Sequence, residues 1–232
     1  MSLMLSHQQQ VREQKKRAEA GQPEREKPDM LKTAPTGLVG TQQLLALLDK
    51  ALEQDLKSLK GISSRERKAD VKRELVTKYS AYVERLKAIA APHDLLGWYL
   101  VWLFDIGELD TAVEYGLWCV REGVALPERF NRDVKTFVAD AILEWADAQF
   151  DAGHSVQPYF AVVFNHADGM CCQPWDLPDE VTAKFYRQQG LVLARAEKFT
   201  AAVDVLEEAL SLGAKVKTAL ADCRKRATRD VS

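Results

Sequence analysis

Apolar residues recur at helical spacing along most of this 232-residue chain, and no cluster of alternating apolar and polar positions marks β-strands. The first strong pattern is a run of leucines that ends at Leu59. Thr41 is predicted to cap this helix, and Gly61 is predicted to end it.

A second helix is predicted from Ser63 and Glu66, which stand three residues apart as in a capping box, to Ala91. Its apolar residues are spaced by four, three, four and three positions, the spacing of a coiled-coil seam, but over only about two heptads. Two interpretations stay open: the seam faces the first helix in an antiparallel hairpin, or part of it packs between subunits. The seam residues, which are the candidate oligomerisation residues, are Leu75, Tyr79, Tyr82, Leu86 and Ile89.

The pattern stays helical to the C-terminal end, so we predict an all-α protein. The segment 154–180 contains three prolines and is predicted to be irregular, apart from a short apolar piece between Tyr159 and Asn165. The predicted helices begin at Asp94, just after Gly107, at Asn131 or Asp133, at Glu180, at Thr200 and at about Lys215.

Part of the sequence repeats after 90 residues. Residues 112–114 (Ala-Val-Glu) resemble residues 202–204 (Ala-Val-Asp), and Gly123 precedes Gly213 by the same interval. Both segments read as a helix, a tight turn and an Ala-containing helix. We therefore expect an N-terminal helical hairpin followed by a helical-hairpin body of tetratricopeptide-like character.

Charge divides the chain into a basic front and an acidic body. Residues 1–91 hold 18 Lys and Arg against 12 Asp and Glu, a net of +6, and residues 92–232 hold 14 against 22, a net of −8. We predict a basic flexible arm and linker over residues 1–40, a DNA-binding and oligomerising hairpin over residues 41–91, and an acidic body for partner contacts over residues 92–232.

The basic residues suggest where a polyanion binds. Arg65, Lys68 and Lys72 share one face at the start of the second helix, where the helix dipole also favours phosphate. The short Gly-containing turn before this helix is typical of a helix-turn-helix. The arm supplies further candidate DNA-binding residues, namely Arg12, Lys15, Lys16 and Arg17.

Motifs for catalysis are scarce. The chain has no phosphate-binding loop, no His-Glu-x-x-His and no Gly-x-Ser-x-Gly motif, and the four cysteines suit neither a disulfide framework nor a closed zinc site, so no metal site is predicted. Two carboxylate sets remain candidates for Mg²⁺-dependent phosphodiester cleavage, although such sets are more often solvated helix faces. The first is Asp176, Asp179 and Glu180, and the second is Asp140, Glu144, Asp147 and Asp151.

The segments 93–107 (HDLLGWYLVWLFDIG) and 170–178 (MCCQPWDLP), with the Gln-rich basic start, resemble the small terminase subunit of temperate peduovirus-type tailed phages, the gpM-type "terminase endonuclease subunit". The resemblance implies a ring-shaped homo-oligomer. No apolar run approaches 18 residues, so no membrane span is expected, and the cysteine usage fits a reducing cytoplasm, which would be that of the host. The resemblance also implies binding to the packaging site of concatemeric double-stranded viral DNA and presentation of that DNA to the large ATPase subunit, for cutting and packaging into the procapsid. It transfers no catalytic residue.

Two other functions stay open at this point. One is a metal-dependent endonuclease subunit that itself cuts the DNA, and only this function calls for a cofactor, Mg²⁺. The other is a tetratricopeptide-like protein adaptor without DNA binding.

Overall fold

The computed structural model describes residues 37–171 and 173–230. These residues form nine α-helices and no strand, which confirms the all-α prediction. The chain divides into two units, residues 1–44 and 45–232. The helices are α1 (Leu38–Lys60), α2 (Arg65–Ala88), α3 (Asp94–Ile106), α4 (Leu109–Arg121), α5 (Val134–Asp151), α6 (Tyr159–Ala167), α7 (Asp179–Arg195), α8 (Phe199–Ser211) and α9 (Lys217–Asp230).

Two helix starts differ from the predicted ones. Helix α1 begins at Leu38, after Gly37 in the left-handed region (φ 102°), and Thr41 lies inside the helix, where its hydroxyl donates to the Gly37 carbonyl at 3.2 Å. Helix α2 is capped by Ser64 instead of Ser63, because the Ser64 side chain accepts the N–H of Arg67 at 3.3 Å. The capping-box spacing was therefore misleading by one residue.

Helix α3 is the centre of the core in the second unit. Every residue from Leu95 to Leu103 is buried, as expected for a helix that is apolar all round. It packs against α2 and α4, and Trp102 is only 1% exposed. The side chain of His93 caps α3 by accepting the N–H of Leu95 at 3.0 Å. The apolar residues from Leu95 to Leu103 are thus core residues.

The repeat after 90 residues is also present in the backbone hydrogen bonds. At the turn between α3 and α4, the N–H of Glu108 donates to the carbonyl of Leu103 at 3.1 Å. Between α7 and α8, the N–H of Lys198 donates to Leu193 at 3.0 Å. The turns after α4 and α8 also match, with bonds of 2.9 Å in the pairs Val124–Cys119 and Ala214–Ala209. The two hairpins share their turn geometry, and their tetratricopeptide-like character stays a prediction.

The segment predicted to be irregular contains helix α6. Phe160 and Val163 of this helix are buried, and α6 packs against α5. The prolines lie outside the helix, so they bound it without interrupting it. The short apolar piece recognised in the sequence is therefore a nine-residue helix.

Candidate nucleic-acid interface

The N-terminus of α2 follows a four-residue turn, residues 61–64, after the end of α1. The turn is held by the N–H of Ile62, which donates to the carbonyl of Leu59 at 3.2 Å. Asp55 of α1 accepts the hydroxyl of Tyr79 at 2.6 Å, and Asp49 lies 3.2 Å from His93. The residue of α1 that comes earlier in the chain contacts the partner that comes later, as expected when a helix is followed by an antiparallel segment.

The cations at this helix start differ in their surroundings. Arg65 is exposed and Lys68 is half-buried, and neither forms an ion pair with any residue in the described ranges. Arg67, which is not among the predicted DNA-binding residues, is also exposed and has no ion pair there. The three side chains lie in the first turn of α2, where the helix dipole adds a partial positive charge. We name Arg65, Arg67 and Lys68 the basic cap of α2.

Lys72 stands apart from the basic cap. Its ammonium lies 2.6 Å from the Asp105 carboxylate of α3, and its side chain is only 20% exposed. This ion pair connects α2 to α3 and neutralises the positive charge of Lys72, which was predicted to bind DNA. The other basic residues of α2 with carboxylate partners are Arg73 with Asp70, Lys78 with Asp55, and Lys87 with Glu84.

The predicted seam is used mainly inside the chain. Leu75, Tyr79 and Leu86 are buried, as the hairpin interpretation requires, whereas Tyr82 is half-buried and Ile89 is exposed. Val83, which the heptad spacing left out, is buried beside them. Only Tyr82 and Ile89 retain surface for a neighbouring subunit, and an oligomerising role for the seam stays a prediction.

Burial also determines the protonation state of two tyrosines, one in α2 and one in α4. Burial, together with the hydrogen bond to Asp55, raises the pKa of Tyr79 far above its usual range. The phenol therefore stays protonated and donates to the carboxylate. Burial likewise raises the pKa of Tyr115, whose hydroxyl donates to the carbonyl of Leu96 at 3.2 Å.

The carboxylate sets proposed for Mg²⁺ do not assemble. Across residues 37–171 and 173–230, no group of three or more His, Cys, Asp or Glu side chains is placed to hold a metal ion. Asp140 pairs with Arg132, and Asp147 lies 3.5 Å from Arg187. Two of the four carboxylates of this stripe thus contact arginines, and the stripe does not converge on a cation.

His166 and Cys171 of segment 154–180 make local contacts. Nδ1 of His166 lies 2.9 Å from the sulfur of Cys171 and 2.8 Å from the carbonyl of Gln173. The imidazole stacks on Trp175 with ring centres 4.9 Å apart. These contacts hold the chain between α6 and α7. The candidate residues of the arm, Arg12, Lys15, Lys16 and Arg17, lie outside the described residues.

These features define an all-α protein with a basic helix start and, within its described residues, no assembled metal centre. The family model of the phage small terminase subunit matches residues 49–180, more than half of the chain. The chain therefore belongs to the phage small terminase subunit family.

Two curated proteins are similar to this chain. The probable terminase, endonuclease subunit, of Haemophilus phage HP1 is 29% identical over 170 residues, which are 72% of this chain and 59% of that protein. The terminase, endonuclease subunit, of Escherichia phage P2 is 27% identical over 163 residues, 69% of this chain and 64% of that protein. The chain thus matches about three-fifths of the length of these relatives. No solved structure matches it significantly.

None of the helices that the structure describes combines the length and the apolar composition that a bilayer span needs.

Proposed function

We propose that this chain binds the packaging site of concatemeric phage DNA and presents the DNA to a large ATPase subunit for cutting and packaging. The observation that carries the proposal is the basic cap of α2, three neighbouring cations that form no ion pair within the described residues, at a helix start in a small terminase family member. This arrangement favours the binding of phosphate groups, because the helix start provides both N–H donors and a positive potential. The basic arm would add contacts, and assembly into a ring would multiply them.

The basic cap, and not Lys72, is expected to set the salt dependence of binding. Each phosphate neutralised by a cation contributes about 0.9 to the slope of log K against log salt concentration. Replacing Arg65, Arg67 and Lys68 by Glu should therefore lower the slope by about 2 to 3 per bound subunit. Lys72→Gln should leave the slope nearly unchanged, because Asp105 already neutralises this lysine.

The measurement is fluorescence anisotropy of the full chain with duplex DNA that carries the packaging site, at several salt concentrations. A charge-matched control replaces Lys135, Lys184 and Lys198 by Glu, since none of these lysines has an ion pair within the described residues and none lies on α2. If both triple variants change the slope equally, net charge alone governs binding and the assignment of the basic cap is wrong.

The names of both relatives contain "endonuclease", so DNA cleavage by this chain needs its own assay. The assay incubates the purified chain with packaging-site DNA and Mg²⁺, without a large subunit. Asp140 and Asp147 of α5 contact arginines, and no set of three or more carboxylates is placed to hold a metal ion within the described residues, so we expect no cleavage by the chain alone. Cuts that disappear on replacing Asp176 and Asp179 by Asn would instead establish an intrinsic endonuclease.

A further inference from the structure

A groove of about 640 Å³ lies between α7 and α9. Helix α8 packs against both of these helices and thereby holds the groove open. The support is rigid: Leu206 and Ala209 of α8 are buried against Leu220 and Cys223 of α9. The groove follows residues 49–180, so the family match does not account for it.

The floor of the groove is apolar and small. It is lined by Leu191 of α7, by Val216 just before α9, and by Ala219 and Ala221 of α9. A Cβ at Gly190 would lie only 2.5 Å from a methyl of Leu206, so this glycine is what lets α7 and α8 approach so closely beside the groove. Small apolar side chains of a ligand would gain free energy by leaving water for the apolar floor.

The rim of the groove is cationic. Lys215 and Lys225 are exposed and form no ion pair within the described residues. Arg187 makes only a long contact of 3.5 Å with Asp147, so its charge is weakly compensated. The one acidic lining residue, Asp222, is already paired with Arg226 at 3.1 Å. The rim thus favours a ligand with several carboxylates.

Shape favours a peptide over a nucleic acid. Helices α7 and α9 each pack on α8, and packed helices lie about 8 to 10 Å apart, so the gap between α7 and α9 is too narrow for a convex DNA duplex to reach its floor. A single strand usually binds where aromatic side chains stack on its bases, and the groove lining contains no aromatic residue. An extended peptide can place apolar side chains on the floor and carboxylates against the lysines.

We propose that the groove between α7 and α9 docks a short acidic peptide segment of a partner protein, with carboxylates alternating with Leu, Val or Ala. The proposal goes beyond the proposed function and does not depend on DNA binding at α2. The groove is a second surface, separate from the basic cap, and its lining alone argues for contact with a partner protein.

The test uses the full chain and a panel of fluorescein-labelled heptapeptides with Glu at alternate positions and Leu, Val or Ala between them. Binding is followed by anisotropy, with the Gln versions of the same peptides as the uncharged comparison. The variants are Lys215→Glu, Lys225→Glu and Ala221→Trp; the third fills the groove without changing the charge. Lys198→Glu is the matched control, because Lys198 is exposed and does not line the groove.

We expect the Glu peptides to bind and the Gln peptides to bind at least about tenfold more weakly. Each groove variant should weaken binding by about fivefold or more, whereas Lys198→Glu should change it by less than about twofold. All four substituted residues are exposed, so circular dichroism should show folded proteins. Failure of the whole panel to bind, equal effects of Lys198→Glu and Lys225→Glu, or an unlabelled oligothymidine that displaces the peptides better than the unlabelled peptides do, would overturn the proposal.

Discussion

Gly97 is the position where one methyl group should cost the most. It lies in the middle of the buried helix α3, where a Cβ would come 2.5 Å from the backbone oxygen of Ala125 and 3.0 Å from a ring carbon of Pro127. Real Cβ atoms essentially never approach a heavy atom within 3.0 Å, so Gly97→Ala forces a shift of at least 0.5 Å. The oxygen cannot move freely, because the preceding residue, Val124, is tied to Cys119 by a 2.9 Å hydrogen bond.

Two opposing effects set the expected magnitude. Alanine in place of glycine inside a helix gains about 1 kcal/mol of stability. Overpacking a rigid core site costs about 1 to 3 kcal/mol, and a fixed backbone contact places Gly97 near the upper end. The free energy of unfolding should therefore fall by about 2 kcal/mol, which corresponds to a fall in Tm of about 4 to 8 °C for a domain of this size.

The assay is urea unfolding of the full chain followed by circular dichroism, with Gly116→Ala as the matched control. Gly116 is also a buried helical glycine, but its Cβ would meet a methyl of Val138 at 2.9 Å, and a side chain can adjust where a backbone carbonyl cannot. We expect the control to stay within about 1 kcal/mol of the unsubstituted chain. If Gly97→Ala is as stable as the unsubstituted chain, the close approach of α3 to the segment after α4 does not constrain this fold.

Three further predictions concern groups that the fold holds in place. Tyr79→Phe should lower the free energy of unfolding by about 1 to 2 kcal/mol, because it removes the hydrogen bond to Asp55. Folding raises the pKa of Tyr79, so its contribution to stability is complete below the unfolded pKa of about 10. The free energy of unfolding should fall above that pH, and it should fall less in the variant. Burial raises the pKa of the Cys119 thiol to about 12, so peptide mapping after iodoacetamide treatment at pH 8 should find Cys119 modified only in unfolded protein. A double-mutant cycle of Lys72→Met and Asp105→Asn, read by urea unfolding, should give a coupling of about 0.5 to 1 kcal/mol that shrinks in 0.5 M salt, about the level at which screening becomes strong; a coupling of zero would contradict the bridging role of this pair.

The helices were predictable because apolar spacing reports which face of a helix is buried. The buried stripe of α2 contains Leu75, Tyr79 and Leu86, all of which belong to the predicted seam. Two residues depart from the seam for physical reasons. Val83 is buried because the stripe follows the 3.6-residue period of an α-helix and not a 3.5-residue seam. Ile89 is exposed because α2 ends at Ala88.

The helix ends were less predictable because caps depend on single hydrogen bonds. Ser63 and Ser64 are chemically equivalent candidates in the sequence, and only the backbone path decides that Ser64 accepts the N–H of Arg67. Helix α6 was partly missed for a related reason. Prolines on both sides resembled a long loop, although the residues between them have helical spacing.

The candidate site shows where sequence reasoning stops. Arg65, Lys68 and Lys72 are indistinguishable by spacing, yet Lys72 meets a carboxylate that lies 33 residues further along the chain. Such a partner is set by how α2 packs on α3, which helical periodicity within α2 cannot reveal. Arg67 breaks the three-four spacing, but it is exposed and lies in the first turn, where the N–H groups without an intrahelical partner are found. The positive charge that a helix can present to DNA is therefore the charge that remains after tertiary ion pairing. In α2, Arg65, Arg67 and Lys68 remain without an ion pair in the described residues, whereas Lys72 pairs with Asp105 and connects α2 to α3.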